Sequence, residues 1–302
     1  MSKYLAFGLT LETDVNFTGV LQESTAEPDI LIRAGDVGQK ANRPTRIQRR
    51  GVRAKFGVTP SSLLLNWEGI GIFSVSNGRE IRYQRTGADE GTLRLFLLSE
   101  VIGLLLFQRG IFLLHGSAVQ LHQDALVFLG IPGAGKSTTA AAFGKAGFTV
   151  LTDDLVAIQL IDHKPYVVPA FGQYKIWKNT VDGLAFDEST LEPSFEGATK
   201  FLVHQPLSDF PRTPIPLRSI TLLYPPKARR QNEPIKPLRA PVELLRHFPL
   251  PVQLLTGAYL QRHFQDALTI AQSARINQLK RPNGFDALGL YVQACQAAEI
   301  ET

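Results

Sequence analysis

Gly130-Ile131-Pro132-Gly133-Ala134-Gly135-Lys136-Ser137 fits the pattern G-x-x-x-x-G-K-[ST] at every defined position. The run before it, Asp124-Ala-Leu-Val-Phe-Leu, is apolar and short, as a buried strand requires. The run after it, Ser137-Thr-Thr-Ala-Ala-Ala-Phe-Gly-Lys-Ala, is rich in helix formers. A strand, a glycine-rich loop and a helix in that order form a phosphate loop. Its glycines let successive backbone N–H groups converge on an anion at the helix N-terminus. The expected nucleotide contacts are Gly130, Ile131, Pro132, Gly133, Ala134, Gly135, Lys136, Ser137 and Thr138. Lys136 would reach the β- and γ-phosphates, and the Ser137 hydroxyl would ligate Mg²⁺. A nucleoside triphosphate is the natural guest.

Working outward, residues 111–121 and 125–129 read as strands joined by the polar turn His122-Gln-Asp124, so the loop strand should pair antiparallel with its predecessor and the sheet should be mixed. Residues 147–152 read as the next strand, ending at Asp153-Asp154, and 155–160 continue extended. Upstream, residues 4–11, 29–33, 62–67, 71–75 and 80–84 read as strands. The last two form a hairpin across Asn77-Gly78, a pair that favours the positive φ angles of a tight turn. Residues 35–51 read as a loop. One long helix is expected from about Asp89 to Gln108, stopping at Gly110. Beyond Pro165 the chain is rich in proline turns, with a strand at 219–224. Helices are expected at 258–274 and 286–298, separated by Arg281-Pro-Asn-Gly284. The expected division is a β-rich N-terminal domain, 1–90, concerned with substrate recognition, and an α/β catalytic domain, 91–302.

The 302 residues contain 44% hydrophobic and 20% charged side chains, which excludes wholesale disorder. The most apolar stretch, 93–107, is interrupted by Arg94 and Glu100, so a buried helix is expected and no membrane partner. The N-terminus has no long apolar run of a signal peptide, and a cytoplasmic location is the expectation. The single Cys295 fits a small buried helix residue. Net charge is +5, yet residues 33–55 hold eight basic side chains against Asp36 alone. That segment is read first as a solvated basic loop and second as a dock for an acidic peptide. Without interleaved aromatics, nucleic acid is not an expected partner.

Asp153 and Asp154 lie seventeen and eighteen positions after Lys136, a spacing that accommodates a helix and a returning strand whose end faces the loop. Phosphoryl transfer needs bound phosphates, a metal and a group that takes the acceptor's proton. Adjacent carboxylates at a strand end point apart, so one can serve the metal and the other the proton. His115-Gly116 lies on the neighbouring strand, with a glycine that permits close backbone approach.

Leu114-His115-Gly116, Gly130 to Ser137, and Leu151-Thr-Asp153-Asp154-Leu-Val together resemble the catalytic domain of the HPr serine kinase/phosphorylase family, related in fold to ATP-dependent phosphoenolpyruvate carboxykinase. The resemblance covers about residues 110–160, with weaker likeness at Tyr174-Lys-Ile-Trp177-Lys178 and Ala198-Thr-Lys200. It implies an α/β mixed-sheet kinase domain using ATP and Mg²⁺. Asp153 would be the general base, Asp154 and Ser137 the metal ligands, Lys136 the phosphate clamp and His115 a nearby polar partner. Lys175 and Lys200 would be phosphate contacts, and Trp177 a packing residue. Thr138 stands where the family has Glu, and the family's Glu-Arg-Gly signature is absent, so neither phosphorylase activity nor HPr as substrate is implied. The acceptor expected is a serine on a protein or precursor peptide. Alternatives are a small-molecule kinase and a non-catalytic ATP-binding regulator, and a homo-oligomer is left open. A transporter-type Leu-Ser-Gly-Gly-Gln and a guanine-reading Asn-Lys-x-Asp are both absent.

Overall fold

The structure is a computed structural model describing residues 1–38, 41–49, 52–194, 197–229 and 232–298. Its fold is mixed α/β. The N-terminal part forms a nine-stranded sheet in the order Gln22–Glu23, Ser2–Ala6, Leu9–Thr13, Ile30–Ala34, Glu80–Arg85, Gly71–Ser76, Ser62–Trp67, Val52–Val58, Arg43–Arg49. Two expectations change here. The single strand at 4–11 is a hairpin that turns at Phe7 and Gly8, where φ is 51° and 69°. Phe7 is buried although it sits in the turn, so the apolar pattern runs straight through the bend. Within the segment read as a loop, Arg43–Arg49 is an edge strand antiparallel to Val52–Val58. Backbone pairing on one flank suffices to hold an edge strand, and charged residues are at home on it. Residues 39, 40, 50 and 51 of that segment lie outside the described residues.

The Asn77-Gly78 hairpin forms as expected, with φ of 53° and 60°. It is gripped by the end of the following helix. Gly78 N–H donates to Gln108 Oε1 at 2.7 Å, and Arg109 donates to Gly78 O at 3.0 Å. That helix begins where expected, since Asp89 Oδ1 accepts from Thr92 N–H at 2.7 Å. It is not regular throughout: Glu90–Phe96 and Ile102–Gln108 flank a π-type turn at Leu97–Val101. The Ser99 hydroxyl donates back to Phe96 O at 3.2 Å and to Glu100 at 2.5 Å, a competing bond that widens the turn. The helix packs Phe96 against Trp67, ring centroids 4.8 Å apart, and its apolar cluster also takes in Leu113 and Val168 of the second sheet and Leu155 between two of its strands.

The second sheet runs Phe112–Leu114, Val156–Ile161, Lys164–Val168, Ile215–Tyr224, Asp124–Leu129, Gly116–Leu121, Val150–Asp153, with Arg275–Lys280 also on Ile215–Tyr224. The loop strand pairs antiparallel with Gly116–Leu121 and parallel with Ile215–Tyr224. Both its faces are covered, which explains its unbroken apolar sequence. Val127 and Leu129 face a cluster with Ala267 and Ile270 of the helix Gly257–Ser273. Leu126 and Phe128 face one with Ala140, Ala141 and Phe143 of the loop helix Lys136–Lys145. A third sheet, Gln173–Trp177, Gly197–His204 and Glu192–Ser194, stands beside the loop helix in the stretch read as proline turns. The C-terminal helices are Gly257–Ser273 and Phe285–Ala297, with the strand Arg275–Lys280 between them. Its Arg-Ile-Asn-Gln-Leu-Lys sequence carries too little apolar alternation to announce a strand. The pairing that holds it comes from Ser219–Tyr224, far away in the chain. Among the described residues no helix is long and apolar enough to cross a membrane.

Candidate functional site

The expected strand at 111–121 breaks at His115. Phe112–Leu114 pairs with Val156–Ile161, while Gly116–Leu121 turns to Val150–Asp153 on the other side. The partner chain breaks at the same level. Asp154 takes a left-handed φ of 72°, and the Thr152 hydroxyl donates to Leu155 O at 2.6 Å across the bend. The two breaks face each other: His115 Nδ1 lies 3.0 Å from Asp154 O, and His115 N–H donates to His247 O at 2.6 Å. A carbonyl only accepts, so Nδ1 carries the proton. Close approach is built in at Gly116, where a Cβ would meet Phe128 O at 2.7 Å.

The glycine-rich loop, Gly130 to Ser137, arrives at this junction from the neighbouring strand. Gly135 has a φ of 102°, and a Cβ on Gly130 would lie 2.7 Å from Leu223 O, so both positions require glycine. Lys136 is buried and folds back to donate to Gly130 O at 2.9 Å. Burial pushes its ammonium below the ordinary lysine value, against the pull of Asp153 and Asp154. Ser137 Oγ donates to Asp153 Oδ1 at 2.9 Å, and Ser117 Oγ, wholly buried, donates to the same oxygen at 2.6 Å. Asp153 Oδ2 is buried and has no hydrogen-bond partner among the described residues. Burial raises the Asp153 carboxyl above the ordinary aspartate value, and the Asp154 charge adds to this; Lys175, Ser117 and Ser137 oppose it.

Asp154 is ion-paired with Lys175. Burial, then Lys136, lowers His115; the same two causes, followed by His115 itself, push His247 down to about 4. The structure thus brings His115, Lys136, Ser137, Asp153 and Asp154 to one place. The Thr138 hydroxyl lies 3.0 Å from that of Thr180, away from Asp153. Lys200 sits over the Trp177 ring, 4.4 Å from the centroid, and Trp177 is 51% exposed, so it is not the packing residue expected. Cys295 is half-buried on the last helix.

Three residues near this site escaped the sequence reading. Ser117 carries a usable signal, because strand alternation places it on the face of His115. His247 and Arg281 carry none; tertiary packing alone brings them to the loop. The donors suit Mg²⁺: the Ser137 hydroxyl and the Asp154 carboxylate, on either side of Asp153, offer hard oxygen ligands.

No protein-family model matches the chain, and no curated protein matches it. Among solved structures it is similar to one titled "Structure of the Hpr(Ser) kinase/phosphatase from Coxiella burnetii", at 11% identity over 63% of this chain and 97% of that one, with a TM-score of 0.36.

Proposed function

We propose that this chain is an ATP- and Mg²⁺-dependent serine kinase of HPr-kinase-like type, acting in the cytoplasm on a seryl hydroxyl of a protein or precursor peptide. One observation carries the reading. A buried carboxylate with elevated proton affinity sits on the phosphate-loop serine and leaves its second oxygen unpartnered. Asp153 Oδ2 takes the proton of the acceptor hydroxyl as its oxygen bonds to the γ-phosphorus. The bond from γ-phosphorus to the bridging oxygen breaks, and ADP leaves with the electron pair. Lys136, released from Gly130 O, holds the β- and γ-phosphates. Ser137 and Asp154 would hold Mg²⁺, which would supply charge neutralisation at the phosphates, in place of the ion pair that Asp154 makes with Lys175. Neutral His115 fixes the bend at Asp154 through its Nδ1–H.

The test is incubation of the full chain with γ-labelled ATP, Mg²⁺ and peptides encoded beside its gene, followed by phosphoamino-acid identification. Phosphoserine on a peptide is the expected product. Label on a metabolite would replace the peptide acceptor with a small molecule, and nucleotide binding without any transfer would reject the kinase reading.

A further inference from the structure

A second cavity, of about 690 Å³ and separate from the one that holds His115, runs from Lys136, Ser137 and Thr138 to Trp177, Arg281 and Phe285. Arg281 lies directly on the phosphate loop. A Cβ on Gly135 would come 2.3 Å from its Cδ, so the absence of a side chain there is what admits the arginine stem. The Arg281 backbone is fixed by donation to Tyr224 O at 2.8 Å, at the end of the strand beside the loop strand. Its Nε is buried with no hydrogen-bond partner among the described residues. A buried guanidinium nitrogen without an acceptor is costly unless a ligand supplies one. Two aromatic rings border the same space. Trp177 is half-exposed with Lys200 at its ring, and Phe285 is seated on Gly183. None of the described residues lining the cavity is acidic.

We infer that this cavity is the nucleoside and proximal-phosphate subsite, with Arg281 donating to the α,β-diphosphate and Trp177 and Phe285 flanking the base. The inference rests on the nucleotide reading above and deepens it. A guanidinium presents a planar fork of donors to phosphate oxygens, and an indole offers a stacking face to any base. The γ-phosphate then lies toward Lys136 and Asp153, away from Arg281. Arg281 therefore contributes equally to ADP and ATP binding, and its loss raises KM while leaving kcat nearly unchanged.

Titration of the full-length chain with MgADP tests this. Of the two tryptophans, Trp67 is fully buried in the first sheet, so a change in indole fluorescence reports Trp177. The expected results are quenching that disappears in Trp177→Phe although calorimetry still detects binding, and at least a tenfold rise in the MgADP Kd of Arg281→Met at unchanged melting temperature. Should Arg281→Met fail to fold, Arg281→Lys, which keeps stem and charge but loses the fork, is expected to raise Kd at least threefold. Wild-type binding with no fluorescence change, and arginine variants within twofold of it, would overturn the subsite and leave the nucleotide reading intact. No heat and no thermal shift with millimolar MgADP or MgATP would remove both.

Discussion

Asp153 is held in a state that is poor for stability and useful for chemistry. Two hydroxyls feed Oδ1, nothing among the described residues feeds Oδ2, and burial opposes ionisation. The folded state therefore holds the Asp153 proton more tightly than the unfolded chain does, and ionisation costs stability as pH rises through the folded-state value. Asn keeps an oxygen for Ser117 and Ser137 without the charge. Asp153→Asn is expected to raise the melting temperature at pH 7.5 in chelator-containing buffer by about 2–4 °C, with the gain vanishing at acid pH. Equal melting temperatures at pH 7.5 would show that the carboxylate is not penalised by its surroundings.

The paired breaks at His115 and Asp154 are what turn two strands into a site, because each chain leaves one group of neighbours and joins another at the level of the phosphate loop. Gly116 makes the crossing tight. In Gly116→Ala the new methyl meets the end of the Leu129 side chain, which must turn aside, and the Phe128 carbonyl, which cannot retreat without moving the loop strand. Overpacking of this kind costs about 1–3 kcal/mol, to be read from urea midpoints at constant slope. A wild-type midpoint would mean that the two strands have slack. On the helix Gly257–Ser273, His263 is buried among Phe107, Phe112 and Phe248, and burial followed by Arg262 pushes it down to about 4. Its unfolded counterpart protonates near 6.5, so the stability this neutral imidazole contributes is complete above that value and is lost as pH falls through 4. Between pH 7.5 and pH 5 that loss is about 2 kcal/mol. His263→Phe should flatten the pH dependence of the urea midpoint over that interval, and an unchanged slope against pH would assign acid sensitivity elsewhere.

Across the whole molecule, local chemistry was legible and long-range pairing was not. The strand, glycine-rich loop and helix around Gly130 to Ser137, the Asn77-Gly78 turn and the helix start near Asp89 each follow from a few adjacent residues, and each lies where the sequence places it. The carboxylate pair was recognisable because a spacing of one helix and one strand leaves few places for it to go. By contrast, the strand Arg275–Lys280 and the third sheet exist only through partners remote in sequence. So does the approach of Arg281 to Gly135. The break at His115 was hidden because strands on both sides of it are equally apolar. In the proposed function the glycine-rich loop and the carboxylate pair form one phosphotransfer site, with Asp153 serving the reacting hydroxyl. Single-turnover transfer from γ-labelled ATP by Asp153→Asn, measured beside its MgADP affinity, tests it most directly. Transfer reduced by about 10²–10⁴-fold with affinity unchanged is expected; transfer at the wild-type rate would remove Asp153 from the reaction.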